Sequence, residues 1–560
     1  MFVVRVDLHA NRTSREEVKD VLSAGRHFIA RTLSDECDPG MDPLGPENLL
    51  IFANGPFAGW PISSAGRLSV GGKSPLTGGI KESNAGGELA NALAGLDCRA
   101  VILHDALSEP GIVVMDGADD VRILPAGAYW GLDTETCTAR LQADFGSDYA
   151  MAVIGPAGEM RMPAAAISIT DARGKPFRFA ARGGLAAVMG SKRLKALLVR
   201  RQKRPLPADP AFLPAVRELH KAIGQNPRVE TLRKYGTAST VMLTQSWGGL
   251  PTRNFRQGTF EHAEAISGEA IYRLITSRGG EGTPTEACMS VCLIQCSNIY
   301  PDAGGRRLVG KIEYETLAMC GSNLGIGDPD IIARINQRCN ELGLDTIEMG
   351  TTLGVAAEAG LMEFGDGERA LELLEEVARG TPLGRLLGQG CAVLGRVLGV
   401  ERVPAVKGQG MPAYDPRSIK GTGVTFATSP MGADHTAGLT VFARVDHHAA
   451  EGQVELSRQA QIDRASFDAL GLCAFLMGST AGRPELLLNI LRAGCGVELG
   501  PEWLNELGRQ VIEMERAFNL RAGITPAADR LPAFFEQEPL PPHGETFDIP
   551  PEALRNIWSV

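Results

Sequence analysis

Arg67-Leu68-Ser69-Val70-Gly71-Gly72-Lys73-Ser74-Pro75-Leu76-Thr77-Gly78-Gly79, continuing through Glu82-Ser83-Asn84-Ala85-Gly86-Gly87, is one of two glycine-rich segments from which the chain can be read. The other is Ala181-Arg182-Gly183-Gly184-Leu185-Ala186-Ala187-Val188-Met189-Gly190-Ser191-Lys192. Residues without a Cβ let backbone N–H groups approach a phosphate, and a helix opening just after them adds a favourable dipole. Arg67 and Arg182 can add charge-assisted hydrogen bonds. Turn chemistry in a β-rich domain is the competing explanation for either segment alone. Neither is a P-loop, because Gly190-Ser191-Lys192 has the wrong order and spacing. Gly388-Gln389-Gly390 follows a helical pattern rather than a strand, which argues against a dinucleotide fold.

Around these segments the first part of the chain reads as β-rich. Leu49–Phe52, Ala100–Leu103, Ile112–Met115, Val121–Leu124, Ala152–Ile154, Ala166–Ile169 and Leu194–Val199 are short apolar runs between Gly, Pro and Asp clusters. An early helix is expected from a capping box at Ser14 and Glu17, with Val18, Val21, Leu22, Ile29 and Leu33 in helical phase. Lys203-Arg204-Pro205-Leu206-Pro207 reads as a linker. Beyond it the pattern turns helical at Asp209–Ile223, Glu313–Cys320, Pro329–Leu342, Glu368–Ala378, Ala465–Met477, Pro484–Arg492 and Pro501–Asn519. The expected fold class is α+β: a β-rich domain over 1–203, then two mainly α-helical domains over 204–405 and 406–560. No repeat of fixed period and no low-complexity segment is visible.

Composition narrows the function. The 560 residues are 44% hydrophobic and 22% charged, an ordinary globular balance that calls for more than one domain. A net charge of -10 argues against a nucleic-acid partner. Arg5 and Asp7 interrupt the only apolar stretch at the N-terminus, so no secretory signal is expected, and no run reaches membrane-span length. The expected location is the cytoplasm, where eleven scattered cysteines suit reduced thiols or metal ligands rather than disulfides.

Cys288, Cys292 and Cys296 stand four apart. A local trio plus one remote cysteine is a common way to bring thiolates to an iron–sulfur cluster. Cysteines packed as small hydrophobes are the bland alternative. The spacing does not match a radical-SAM trio, and no paired two-residue gaps or partnering His suggest zinc. Taken alone, Cys473 in Asp468-Ala469-Leu470-Gly471-Leu472-Cys473 reads as a buried helical cysteine.

Further segments stand in a telling order: Asp42-Pro43-Leu44-Gly45-Pro46-Glu47-Asn48, Gly236-Thr237, Leu250-Pro251-Thr252-Arg253-Asn254-Phe255, Glu313-Tyr314-Glu315-Thr316, Lys407-Gly408, Tyr414-Asp415-Pro416-Arg417 and Ala427-Thr428-Ser429-Pro430. With the two glycine-rich segments, the chain resembles the aldehyde:ferredoxin oxidoreductase family over most of its length. That resemblance implies a tungsten or molybdenum ion held by two pterins, with no protein ligand to the metal. It implies cofactor contacts at Arg67, Asn84, Ala85, Gly86, Arg182, Gly183 and Gly184, with Asn84 and Gly183 offering backbone carbonyls to a magnesium. The family's twice-used Asp-x-x-Gly-Leu-Asp/Cys motif matches Asn340 to Asp345, with Gly343 and Leu344, and Asp468 to Cys473, with Leu472. The second copy makes Cys473 the fourth ligand of a 4Fe-4S cluster. Glu313 and His435 match the family's catalytic pair, with Glu315 a rival because the motif is symmetric about Tyr314.

The implied reaction oxidises an aldehyde to its acid and passes electrons to ferredoxin or an iron–sulfur subunit, in a homodimer or hetero-oligomer. Two other readings are an aromatic acyl-thioester reductase subunit with the same cofactor, and a non-catalytic scaffold. Departures from the pattern are the three-residue gap between Cys288 and Cys292 with Met289 at the expected ligand position, Asn340 in place of Asp, and Met431 where Arg is frequent. No Glu-x-x-His occurs, so no subunit-bridging metal is expected. The family's Tyr and Arg-Gly-Trp terminal segment has no counterpart after Arg530-Leu531-Pro532, which implies a covering partner.

Overall fold

The computed structural model describes residues 1–559. Its β-rich part is a duplication. The first half comprises the hairpin β1 (Phe2–Asp7) and β2 (Arg12–Glu17), helix α1 (Gly25–Glu36), the meander β3 (Leu50–Asn54), β4 (Leu68–Lys73) and β5 (Ile80–Ala85), helix α2 (Leu89–Gly95) and strand β6 (Cys98–His104). The second half repeats that order. It has the hairpin β7 (Gly111–Met115) and β8 (Val121–Pro125), helix α3 (Thr134–Phe145), then β9 (Tyr149–Ile154) followed by a single turn, α4 (Pro156–Glu159). Strands β10 (Ile167–Ile169) and β11 (Arg178–Ala180), helix α5 (Leu185–Ser191) and strand β12 (Leu194–Arg200) complete it.

Each half builds one six-stranded sheet with the same topology, β2-β1-β6-β3-β4-β5 and β8-β7-β12-β9-β10-β11. In both, the last strand runs parallel to the hairpin's first strand, pairing Val4 with Val101 and Val113 with Leu197. These strands are buried on both faces, which is why β6 and β12 read as near-continuous apolar runs. The edge strands β5 and β11 lie against each other, so the two glycine-rich corners meet near the middle of the molecule.

The α+β class holds, and helices dominate from Phe212 onward. The helix Pro329–Leu342 has the expected bounds, with Asp328 capping Pro at its first turn and left-handed Gly343 ending it. Two expectations fail. Ser14 and Glu17 are not a capping box: they lie in the fully exposed edge strand β2, and α1 starts at Gly25 with no side-chain cap. The helix expected over Ala465–Met477 is two pieces, because Gln453–Ala469 ends before Gly471 at φ 67°. The duplication shares topology and not a fixed spacing, in keeping with a sequence that shows no repeat of fixed period.

Candidate active site

Each half of the duplication receives one motif from the helical part. In the first, a Cβ on Gly55 would lie 2.0 Å from the carbonyl oxygen of Leu470, so only glycine allows the motif to dock. Arg67 N donates to Gly471 O at 3.1 Å, and Cys473 N donates to Ser64 O at 2.8 Å. In the second half, a Cβ on Gly155 would lie 2.3 Å from Leu342 O. Ala166 N donates to Gly343 O at 2.8 Å, and Asp345 N to Ala164 O at 2.9 Å. The two docks are alike, and Cys473 and Asp345 occupy corresponding ends.

Between the docks lies a cavity of about 1210 Å³, counting its open mouth. Arg67, Asn84, Ala85 and Gly86 line it from the first corner and Arg182 from the second. Asn340, Leu344 and Asp345 come from one motif and Cys473 from the other, with Cys288, Cys296, Glu313 and His435 on the same walls. Gly183, Gly184, Gly343, Asp468, Leu472 and Cys292 do not line it; they shape its walls from behind. Gly183 is forced to be glycine, because at φ 84° its Cβ would meet Lys81 Cγ at 2.4 Å.

The expected anion contacts are partly committed to the protein. Arg182 donates from Nε to Asp345 at 3.1 Å, from Nη1 to Ala433 O at 2.7 Å and from Nη2 to Gly410 O at 2.6 Å, which leaves two N–H groups. Arg67 Nη2 donates to Asn84 O at 3.0 Å, and Ser74 Oγ to Gly183 O at 2.8 Å. Each of those carbonyls keeps one free lone pair, the minimum for the cation contact assigned to them. Asp468 is buried against Arg464 at 2.8 Å and Arg26 at 3.4 Å, with Asn84 Nδ2 donating to it at 3.4 Å.

The four cysteines converge. Cys288 Sγ lies 3.2 Å from where a Gly86 Cβ would be, and Gly87 N donates to Cys288 O at 2.9 Å. Cys292 Sγ accepts from Gln295 N at 3.4 Å and lies 3.9 Å from Ser64 Oγ, beside the carbonyl that receives Cys473 N. Among these free thiols, the hydrogen bond from Cys292 lowers Cys288 to about 6, and its partner Cys292 is pushed up. Burial raises Cys296 and Cys473, and the charge of Cys288 adds to both. Thiols this closely coupled suit a shared metal cluster. The extra residue before Cys292 is absorbed by Val291 at φ 62°, a conformation β-branched residues avoid, while Met289 turns into the hydrophobic core.

Two carboxylates and one imidazole face the cavity with opposed protonation. Burial acts to raise Glu313, but Lys311 Nζ at 3.6 Å, with Arg178 and Arg67, holds it below the usual carboxylate range. Glu315 is pushed up to about 8 by burial. One of its oxygens accepts from Ala413 N at 2.9 Å, and the other, Oε1, has no partner among the described residues. His435 is lowered to about 4 by burial, and its Nδ1 also has no hydrogen-bond partner there. The sequence did not flag Arg178 or Lys311. Arg178 is buried, donates to Ser297 Oγ at 2.6 Å and leaves Nε unpaired. It lies four residues before Arg182, close enough to have been suspected.

A twofold cradle with thiols on one flank, and with two carboxylates and an imidazole on its walls, has the groups of a redox enzyme built around a large cofactor. The chain belongs to the aldehyde ferredoxin oxidoreductase family: the family's N-terminal domain matches residues 3–201, and its domains 2 and 3 match residues 214–557. It is 34% identical to the tungsten-containing aldehyde ferredoxin oxidoreductase of Thermococcus kodakarensis, over 96% of this chain and 91% of that protein. It is 32% identical to the enzymes of that name from Pyrococcus horikoshii, over 96% of this chain and 92% of that protein, and from Pyrococcus furiosus, over 96% and 91%. The WOR-like subunit of an aliphatic sulfonate oxidoreductase from Pyrococcus furiosus is 26% identical over 92% of this chain and 85% of that one. The fold is shared with the active-site complex BamBC of benzoyl coenzyme A reductase, at a TM-score of 0.81 and 20% identity, covering 99% of this chain and 92% of that one. The chain is thus an oxidoreductase of this family. No helix among the described residues is long and apolar enough to cross a membrane.

Proposed function

We propose that this protein oxidises an aldehyde to a carboxylic acid with a tungsten bis-pterin cofactor: RCHO + H2O gives RCOOH, two protons and two electrons. The observation that carries the reading is the meeting, in one cavity, of two docked motifs, three of the four cysteines, a carboxyl that burial pushes up to about 8 and an imidazole that burial lowers to about 4. When bound, the cofactor and a 4Fe-4S cluster take up the electron pair and pass it on singly. Cys288, Cys292, Cys296 and Cys473 would hold the cluster, and the carbonyls of Asn84 and Gly183 would hold a magnesium. Asn340 and Asp345 would accept from pterin N–H groups, while Asp468, behind the wall, would hold Asn84 and Arg464 in place.

Glu315 keeps its proton below about pH 8. Its Oε2 accepts from Ala413 N, so the proton belongs on the unpartnered Oε1, where it can donate to the aldehyde oxygen. His435 is neutral above about pH 4 and takes a proton from water. Glu313, kept ionised beside Lys311, accepts from that water and orients it. Opposed protonation of neighbouring groups is the usual way to run acid and base chemistry together. Electrons leave to ferredoxin or to an iron–sulfur partner subunit in the cytoplasm. Anaerobic protein matured in its native host should reduce a viologen dye when an aldehyde is added. Metal-loaded protein inert towards every aldehyde tried would overturn the reading.

A further inference from the structure

A second cavity, of about 1950 Å³ with its mouth, adjoins the first; His435 and Phe475 line both. Val229, Leu232, Phe467 and Met477 make its wall mainly apolar. One cation on that wall is unspent. Arg228 is half-buried, and among the described residues no carboxylate lies within 4.0 Å of its guanidinium, nor does any side-chain N–H of it donate. Its guanidinium carbon stands 3.3 Å from the centre of the Phe442 ring. Stacking fixes the plane of the group and leaves its N–H edge free, the arrangement that receives a carboxylate through paired hydrogen bonds. Burial without a counter-charge lowers its pKa, in keeping with a cation lacking its anion. The other charged groups on the wall are engaged. Arg464 pairs with Asp468 at 2.8 Å, and Asp463 accepts from Gln459 at 2.8 Å, with burial favouring its neutral form.

We propose that this cavity selects aldehydes with an apolar body and a carboxylate at the far end, and that Arg228 is the specificity-determining residue that receives the carboxylate. The inference rests on the aldehyde reading for its reaction, but not for its binding. The test compares ω-oxo carboxylates of increasing chain length with n-alkanals of equal length, on holoenzyme of unchanged tungsten and iron content. At one length the oxo acid should have the higher kcat/KM. Arg228→Gln should lower the oxo-acid to alkanal ratio at least tenfold, chiefly through KM, and Arg228→Lys should restore part of it. The ratio should also fall with added salt, because a half-exposed charge contact is screened. No preference for the anionic substrate at any length, or an equal loss on both series, would overturn the proposal. If the wild type oxidises neither series, the aldehyde reading fails while calorimetry still decides the site. Arg228→Gln should then weaken binding of an alkanoate at least tenfold more than binding of the neutral alkanamide of equal length, and equal weakening would refute it.

Discussion

The two halves of the β-rich domain share one topology and one way of docking a helical motif, yet they end differently. Gly55 and Gly155 admit the motifs by the same close approach, and matching pairs of backbone hydrogen bonds hold them. At the end of one motif stands Cys473, near Ser64 and the cysteine loop; at the end of the other stands Asp345, held by Arg182. A duplicated scaffold can therefore present two similar cofactor halves while a single residue type decides which side faces the thiols. On the proposed reading, that difference makes electron exit one-sided although the cradle is nearly symmetric.

That asymmetry can be broken directly. Cys473→Ser should drop iron from about four atoms per chain towards none, with tungsten retained, whereas Asp345→Asn should leave iron unchanged. Elemental analysis and the cluster's EPR signal read both. Next in size is Glu315→Gln, which should cost on the order of 10²-fold or more in kcat. Because Glu315 titrates near 8 and acts protonated, wild-type activity should fall as pH rises through about 8, and the variant should lack that limb. His435, neutral above about 4, sets the opposite limb, with activity lost as pH falls through that value.

Gly55→Ala and Gly155→Ala test the symmetry itself. Each should destabilise the fold by about 1–3 kcal/mol through overpacking, and by similar amounts if the docks are equivalent. Denaturant unfolding of the two variants measures this. The smallest effect belongs to the cysteine side alone. Val291→Gly should raise stability by about 1 kcal/mol by removing a left-handed β-branched residue, with no counterpart in the other half.

The helical part was legible where pattern and caps agreed. Asp328-Pro329 and Gly343 mark both ends of one helix with local chemistry that needs no tertiary context. Gly471 was equally local, yet the helix was read through it, because Ala465–Met477 stays apolar on both sides. Strands β4 and β5 were not legible as strands. Ser69, Lys73, Lys81 and Glu82 are buried polar residues, and the two lysines find their partners elsewhere in the chain, Asp434 for Lys81 and the carbonyls of Pro39 and Met41 for Lys73, so no period-two pattern survives. The false capping box shows the converse: Ser14 and Glu17 have the right spacing, but β2 is claimed by pairing with β1. The cavity's contiguous motifs were readable by resemblance. Arg178 was not, since only folding brings it to Glu313, and Lys311, two residues before Glu313, belongs to none of those motifs.

The most direct test of the account is to purify the chain anaerobically from its native host and measure tungsten, molybdenum and iron per protein. One tungsten or molybdenum with about four irons is the predicted result, and it would mean that a cluster forms in spite of the extra residue before Cys292. Protein with neither heavy metal nor iron would contradict the account and leave the duplicated cradle without the cofactor it is argued to hold.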